Sequence, residues 1–259
     1  AGLVERALDR LLVAQDELAP LALGGTAVGT GVNTHPEFAG LACEELSQLA
    51  GIDVHETDNH FLAQSSLDGV LALGGALRCL AVALQKIAND IRWLGSGPRC
   101  GLAEIRLPSV QPGSSIMPGK INPVIPESVC QVAAHVIGND AAIAVAGQSG
   151  NFEINVMMPV AAHNLLESIE ILASSARNLA TQCGGRGGVK QRTYRVGREY
   201  AHHHTGKHQD LHREFHIARW FMGRVDRKIH WLAIEEHIVD KACRVRHSEN
   251  TRERGNDRR

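Results

Sequence analysis

The chain has 259 residues, 44% of them hydrophobic and 4% aromatic, with a net charge of −1. That length allows one large domain or two small ones, and a core of Ala, Leu, Val and Ile with few aromatics favours packed helices over a β-sandwich. No uninterrupted run of about 18 apolar residues is present, so no membrane span is expected.

The opening, AGLVERALDRLLVAQ, lacks the basic segment and apolar run of a signal peptide and has no initiator Met. It reads as the middle of an amphipathic helix ended by Pro20, and the chain is expected to be a fragment. LALGGTAVGTGVNTHPEF (21–38) is a glycine-rich connection. Pro36 then suits the first turn of a helix, which should run for about fifteen residues. GIDVHETDNHF (51–61) reads as a second loop.

From about Ser65 to Leu94 the apolar residues Val70, Leu73, Leu77, Leu80, Leu84, Ile87, Ile91 and Leu94 alternate in steps of three and four. Such a seam keeps one stripe of a long helix against its neighbours. Gly74 and Gly75 weaken that helix by roughly 1 kcal/mol each relative to Ala, and their place suggests a close helix crossing. GSGPRCG (95–101) stops it, and a proline-rich loop is expected over 95–126. Helical patterning returns from Glu127 through Val129, Val132, Ala133, Val136 and Ile137. After a loop over 147–159 a last helix presents Leu165, Ile169, Leu172 and Ala176 on one face, ending near Leu179. Residues 1–183 therefore read as an all-α antiparallel bundle broken by glycine-rich loops.

Composition breaks at about 183. Residues 1–183 hold 9 Lys and Arg against 18 Asp and Glu, and residues 184–259 hold 18 against 10. Nine of the fourteen histidines lie in the second part. His204, His208, His212 and His216 recur every four residues, a spacing that can bind zinc or copper, but no carboxylate or cysteine nearby completes a shell. The arginines fit a nucleic-acid tail, but no reader motif accompanies them, so nucleic acid is not the expected partner. The favoured reading is a shifted reading frame past Cys183, giving a poorly ordered tail. The six cysteines (Cys43, Cys79, Cys100, Cys130, Cys183, Cys243) form no C-x-x-C pair, which argues against a zinc site or disulfide framework and for a reducing, cytoplasmic compartment.

The stretch that carries chemistry is GSSIMPGKINP (113–123). A lysine ammonium at 120 and an asparagine amide at 122 can converge on one carboxylate, the first supplying charge and the second a directional donor. Gly113 and Gly119 let backbone approach a ligand closely. A serine beside such a clamp can exchange a proton if its surroundings favour the alkoxide. On composition alone a plain surface turn explains the stretch as well.

GSSIMPGKINP resembles the signature of the fumarase/aspartase superfamily. LALGGTAVGTGVNTHPEFA, KIANDIRWLGSGPRCGLAEI and VIGNDAAIAVAGQSGNFEINVMMP resemble class II fumarases, so the resemblance covers about residues 1–183. Aspartate ammonia-lyase is the alternative within the superfamily, and a non-catalytic remnant that only oligomerises is the alternative outside it. The resemblance implies a long-helix bundle that forms a tetramer core, and reversible hydration of fumarate to malate without metal or redox cofactor. It implies that Ser114 is the catalytic base, that Ser115, Lys120, Ile121 and Asn122 contact the dicarboxylate, and that Glu127 pairs with a histidine to activate water. It also implies that each site draws on three subunits, and that the paired histidine and the other binding segments lie in regions outside this chain, which on its own should be inactive. His35, tempting in its glycine-rich loop, reads instead as a residue that orients the turn before Pro36.

Overall fold

The computed structural model describes residues 2–97, 99–111, 113, 116–184 and 190–191. Among these residues six helices carry the fold: α1 (Gly2–Asp16), α2 (Phe38–Ala50), α3 (His60–Ser65), α4 (Asp68–Leu94), α5 (Val124–Gly147) and α6 (Met158–Gly184). Four strands of two residues each accompany them: β1 (Pro20–Leu21), β2 (His55–Glu56), β3 (Ile105–Arg106) and β4 (Lys190–Gln191). The all-α bundle expected from the periodicity is present.

α4 is the centre. It packs against α1, α5 and α6, and α5 packs against α6. Leu73, Leu77, Leu80, Leu84, Ile87 and Ile91 of the seam are all buried, with Val70 and Leu94 half-buried at its ends. Ala76, Ala81 and Ala88 are buried beside them, so α4 hides more than one stripe, as a helix with three neighbours must. Full burial of one such leucine contributes about 1.5–3 kcal/mol. α4 and α5 run antiparallel: Gly74 meets Asp140 and Ile143, while Asn89 near the other end meets Cys130. A Cβ on Gly74 would lie 3.1 Å from Asp140 Oδ1 and 3.3 Å from Ile143 Cδ1, so this glycine does mark a close crossing. Gly75 faces open space, and only Arg78 comes within 3.9 Å of a Cβ placed there. Arg78 Nη1 pairs with the buried Asp140 carboxylate at 2.5 Å across the same crossing.

By length and mean hydropathy, 1.6 and 1.4, α4 and α5 could each cross a membrane. Here both are core helices of the bundle, with half of the most apolar window of α4 buried.

Four details differ from the sequence expectations. α5 begins at Val124 and not near Glu127, because Pro126 falls in the first turn, where its missing N–H breaks no helical hydrogen bond. The 51–61 loop contains β2, which pairs in parallel with β1 through Pro20–His55 and Leu21–Glu56, and it leads into the short α3. The 95–123 connection is not structureless: β3 pairs antiparallel with β4, Ala103 and Ile105 are buried, and Glu104 N donates to Leu94 O at 2.9 Å. α6 also continues past Leu179 to Gly184, burying Cys183. The expectations about the 184–259 segment, including the histidines at 204, 208, 212 and 216, lie outside the described residues except for Gly184, Lys190 and Gln191.

Candidate functional site

The 113–123 loop leads directly into the N-terminus of α5. Its shape follows from two glycines. Gly113 lies so close to the chain at Lys120 that a Cβ there would sit 2.0 Å from the Lys120 carbonyl oxygen, so the loop closes on itself at a position only glycine can occupy. Met117, Pro118, Gly119 and Lys120 form a turn closed by Lys120 N donating to Met117 O at 3.1 Å. Proline at its second position and glycine at its third, with φ of +81°, are the residues a type II turn demands.

Lys120 and Ile121 are exposed on this turn, and Asn122 and Glu127 are half-buried as the chain enters α5. Glu127 N donates to Pro123 O at 3.1 Å, and among the described residues no side chain caps the helix start. The fold thus places an ammonium, an amide and a carboxylate in one short run around an uncapped, partially positive helix end. Among the described residues Lys120 has no ion-pair partner. Ser114 and Ser115, expected as base and substrate contact, lie outside the described residues.

The glycine-rich 21–37 loop is pinned elsewhere. His60 Nε2 lies 2.7 Å from Leu23 O, Gln64 Nε2 donates to Thr26 O at 2.7 Å, and the β1–β2 pair holds the loop's base. With Glu56 and His60 it borders a cleft of about 330 Å³ that includes Thr30, Thr34 and His35. His35 does orient its turn: its Nδ1 accepts from Glu37 N at 3.2 Å, and its carbonyl accepts from Phe38 N at 3.0 Å at the start of α2.

Sequence reasoning missed two groups. Asn155, 3% exposed, joins the end of α5 to the start of α6: Nδ2 donates to Ala146 O at 3.0 Å and Oδ1 accepts from Met157 N at 2.8 Å. His135 and Glu167 meet across α5 and α6 at 2.9 Å. The His135 hydrogen bond, then that of Asn139, hold the Glu167 carboxyl below the ordinary carboxylate range, and the nearby charge of His163 adds to this. The four-residue spacing of His135 and Asn139 was the available signal. Burial pushes the Cys183 thiol up to about 11, which keeps it protonated and inert. The described cysteines are free thiols.

A family model described as "Lyase" matches residues 1–138. The chain is 60% identical over 163 residues to a Pseudomonas aeruginosa protein named Fumarate hydratase class II 2, covering 63% of this chain and 36% of that protein. It superposes on a recombinant class II fumarase from Schistosoma mansoni with a TM-score of 0.68 at 31% identity, covering 83% of this chain and 44% of that one. A Brucella melitensis structure titled fumarate lyase:delta crystallin gives a TM-score of 0.68 at 45% identity, covering 73% and 40%. The chain spans little more than a third of the length of the curated relatives it matches.

Proposed function

The chain belongs to the lyase family, and on that premise we propose that it is part of a class II fumarate hydratase, a hydro-lyase that interconverts fumarate and malate. The observation that carries this reading is the 60% identity over 163 residues with a protein of that name. The loop geometry supports it. Ser114 takes the C3 proton of malate, the electrons of that C–H bond form the new double bond, and the C2 hydroxyl leaves as water. Negative charge builds on the carboxylate next to C3 as the proton departs. Lys120 and Asn122, with Ser115 and Ile121 beside them, hold that carboxylate. Preorganised donors aimed at developing charge are the largest expected catalytic contribution. Glu127, acting through a histidine from outside this chain, moves the proton of the water. The proposed chemistry is acid–base throughout and uses protein groups alone.

A homotetramer in the cytoplasm belongs to the same proposal. Val82 on α4 and Val145 on α5 are 50% and 53% exposed, apolar surface that an assembly of long helices would cover.

The test exchanges the matching span of the Pseudomonas aeruginosa protein for residues 1–183 of this chain. Malate–fumarate interconversion is followed through the absorbance of fumarate. Turnover within about tenfold of the parent, abolished by Ser114→Ala, is the expected result. A folded hybrid that releases ammonia from aspartate and leaves malate untouched would replace this reading with the ammonia-lyase one. The 259-residue chain alone is expected to show negligible turnover.

A further inference from the structure

Beyond the C-terminal end of α5 the chain carries a projection that nothing among the described residues covers. Asn151 N donates to Ile154 O at 2.9 Å and Ile154 N to Asn151 O at 3.2 Å, closing a two-residue turn over Phe152 and Glu153. Phe152 holds φ at +53° at the first central position, where such turns take glycine, so a bulky residue sits there at a cost in backbone strain. It is 94% exposed, and its ring offsets none of that cost within its own chain. The mount is rigid: Asn151 Nδ2 donates to Ser149 O at 2.9 Å, and the buried Asn155 ties the returning strand to Ala146 O.

At the opposite end of α4 lies a recess of about 880 Å³ lined by Trp93, Gly97, Arg99, Cys100 and Leu102. Trp93 is 70% exposed, and Leu102 is exposed beside it. Ser96 Oγ donates to Trp93 O at 2.6 Å and accepts from Leu102 N at 3.1 Å, which fixes the two sides of the recess relative to each other. The recess offers an indole, an isobutyl group and a guanidinium; the tip offers a phenyl ring and a carboxylate. Among the described residues neither Arg99 nor Glu153 has an ion-pair partner. The tip cannot reach the recess of its own chain. Gly150 lies against Ser65 O and Asn155 N donates to Gln64 O, just before α4 begins, and the 27 residues of α4 span about 40 Å to the recess.

From this geometry we propose that Phe152 and Glu153 of one copy dock in the Trp93–Leu102 recess of a second copy, the ring against Trp93 and Leu102 and the carboxylate against Arg99. Two copies packed with their α4 helices antiparallel bring each tip to the other's recess, so the contact is made twice and the assembly closes. A rigid aromatic anchor entering a preformed recess loses little freedom on docking, and the neighbouring charge pair sets its orientation. The contact does not rest on the hydratase chemistry, and its test reads association and not turnover.

The test follows the full 259-residue chain by sedimentation velocity over a range of concentrations, with the helical circular-dichroism signal as a check on folding. Phe152→Ala, Glu153→Arg and Arg99→Glu should each weaken self-association at least about tenfold with the helical signal unchanged. Glu153→Arg combined with Arg99→Glu should recover most of the lost affinity, because the pair is restored with its signs exchanged. Glu153→Cys keeps the anchor, and under mild oxidation it should give a disulfide-linked dimer in which mass spectrometry joins position 153 of one copy to Cys100 of the other. That dimer should vanish in Cys100→Ser. A chain that stays monomeric at every concentration overturns the proposal. So does self-association that Phe152→Ala and both charge reversals leave unchanged, or a dimer that never yields the 153–100 linkage.

Discussion

The two ends of α5 are built in opposite ways. At its C-terminal end the last carbonyls find partners: Ala144 O accepts from Gln148 N, Val145 O from Ser149 Oγ, and Ala146 O from the buried Asn155. Gly147 is pressed against Leu71, where a Cβ would fall 2.6 Å from its Cδ1. At the N-terminal end no side chain among the described residues caps the helix, Lys120 and Ile121 are exposed, and the approach is a turn at Gly119 and a close backbone crossing at Gly113. One helix therefore carries stability at one end and candidate chemistry at the other. A binding group needs a rigid mount, and the mount is strongest where the binding group is not.

That contrast can be broken by substitutions at either end. At the near end, Lys120→Ala or Asn122→Ala in the active hybrid should lower turnover by about 10²–10³ while leaving the unfolding temperature unchanged. A large fall in unfolding temperature with normal turnover would reverse the assignment of the two ends. At the far end, Asn155→Ala strands a buried carbonyl and an amide, and should cost about 1–3 kcal/mol in urea unfolding with the substrate KM unaltered. The adjacent glycines of α4 sharpen the comparison further. Gly75→Ala should stabilise by about 0.5–1 kcal/mol because its site is open, whereas Gly74→Ala should destabilise because Asp140 and Ile143 occupy the space. If both shift stability in the same direction, the crossing is looser than described.

The smallest effect concerns pH. The carboxyl of Glu167 is held low by His135, Asn139 and His163. A carboxylate depressed in the folded state stabilises the fold above its unfolded pKa of about 4.3, and that stabilisation fades as pH falls through the folded value. The difference in unfolding temperature between the parent chain and Glu167→Gln should therefore be visible at neutral pH and disappear once the pH has fallen well below the ordinary carboxylate range. A difference that grows in acid would contradict the pairing.

The bundle was legible because its signal is local. The three-and-four spacing from Val70 to Leu94 reports burial directly, and all six interior positions of that seam are buried. Gly74 and Gly75 look alike in sequence, and only packing against α5 separates them. β1 and β2 escaped notice because a two-residue parallel pair leaves no alternation to read. Asn155 and the His135–Glu167 pair escaped because their partners are backbone groups or residues far along the chain. At the loop, residue types suggested an anion clamp, and the turn over 117–120 agrees with its Pro-Gly dipeptide. The approach of Gly113 to Lys120 depends on the path of the chain between them, which no spacing rule reports.

That approach has an evolutionary corollary. Two backbone points that touch set the contour length of everything between them, so the span from Gly113 to Lys120 is fixed in its count of residues. An insertion there would unpin the crossing and rotate the lysine relative to the helix that follows. Homologous chains with the same chemistry should therefore show no gaps inside this segment.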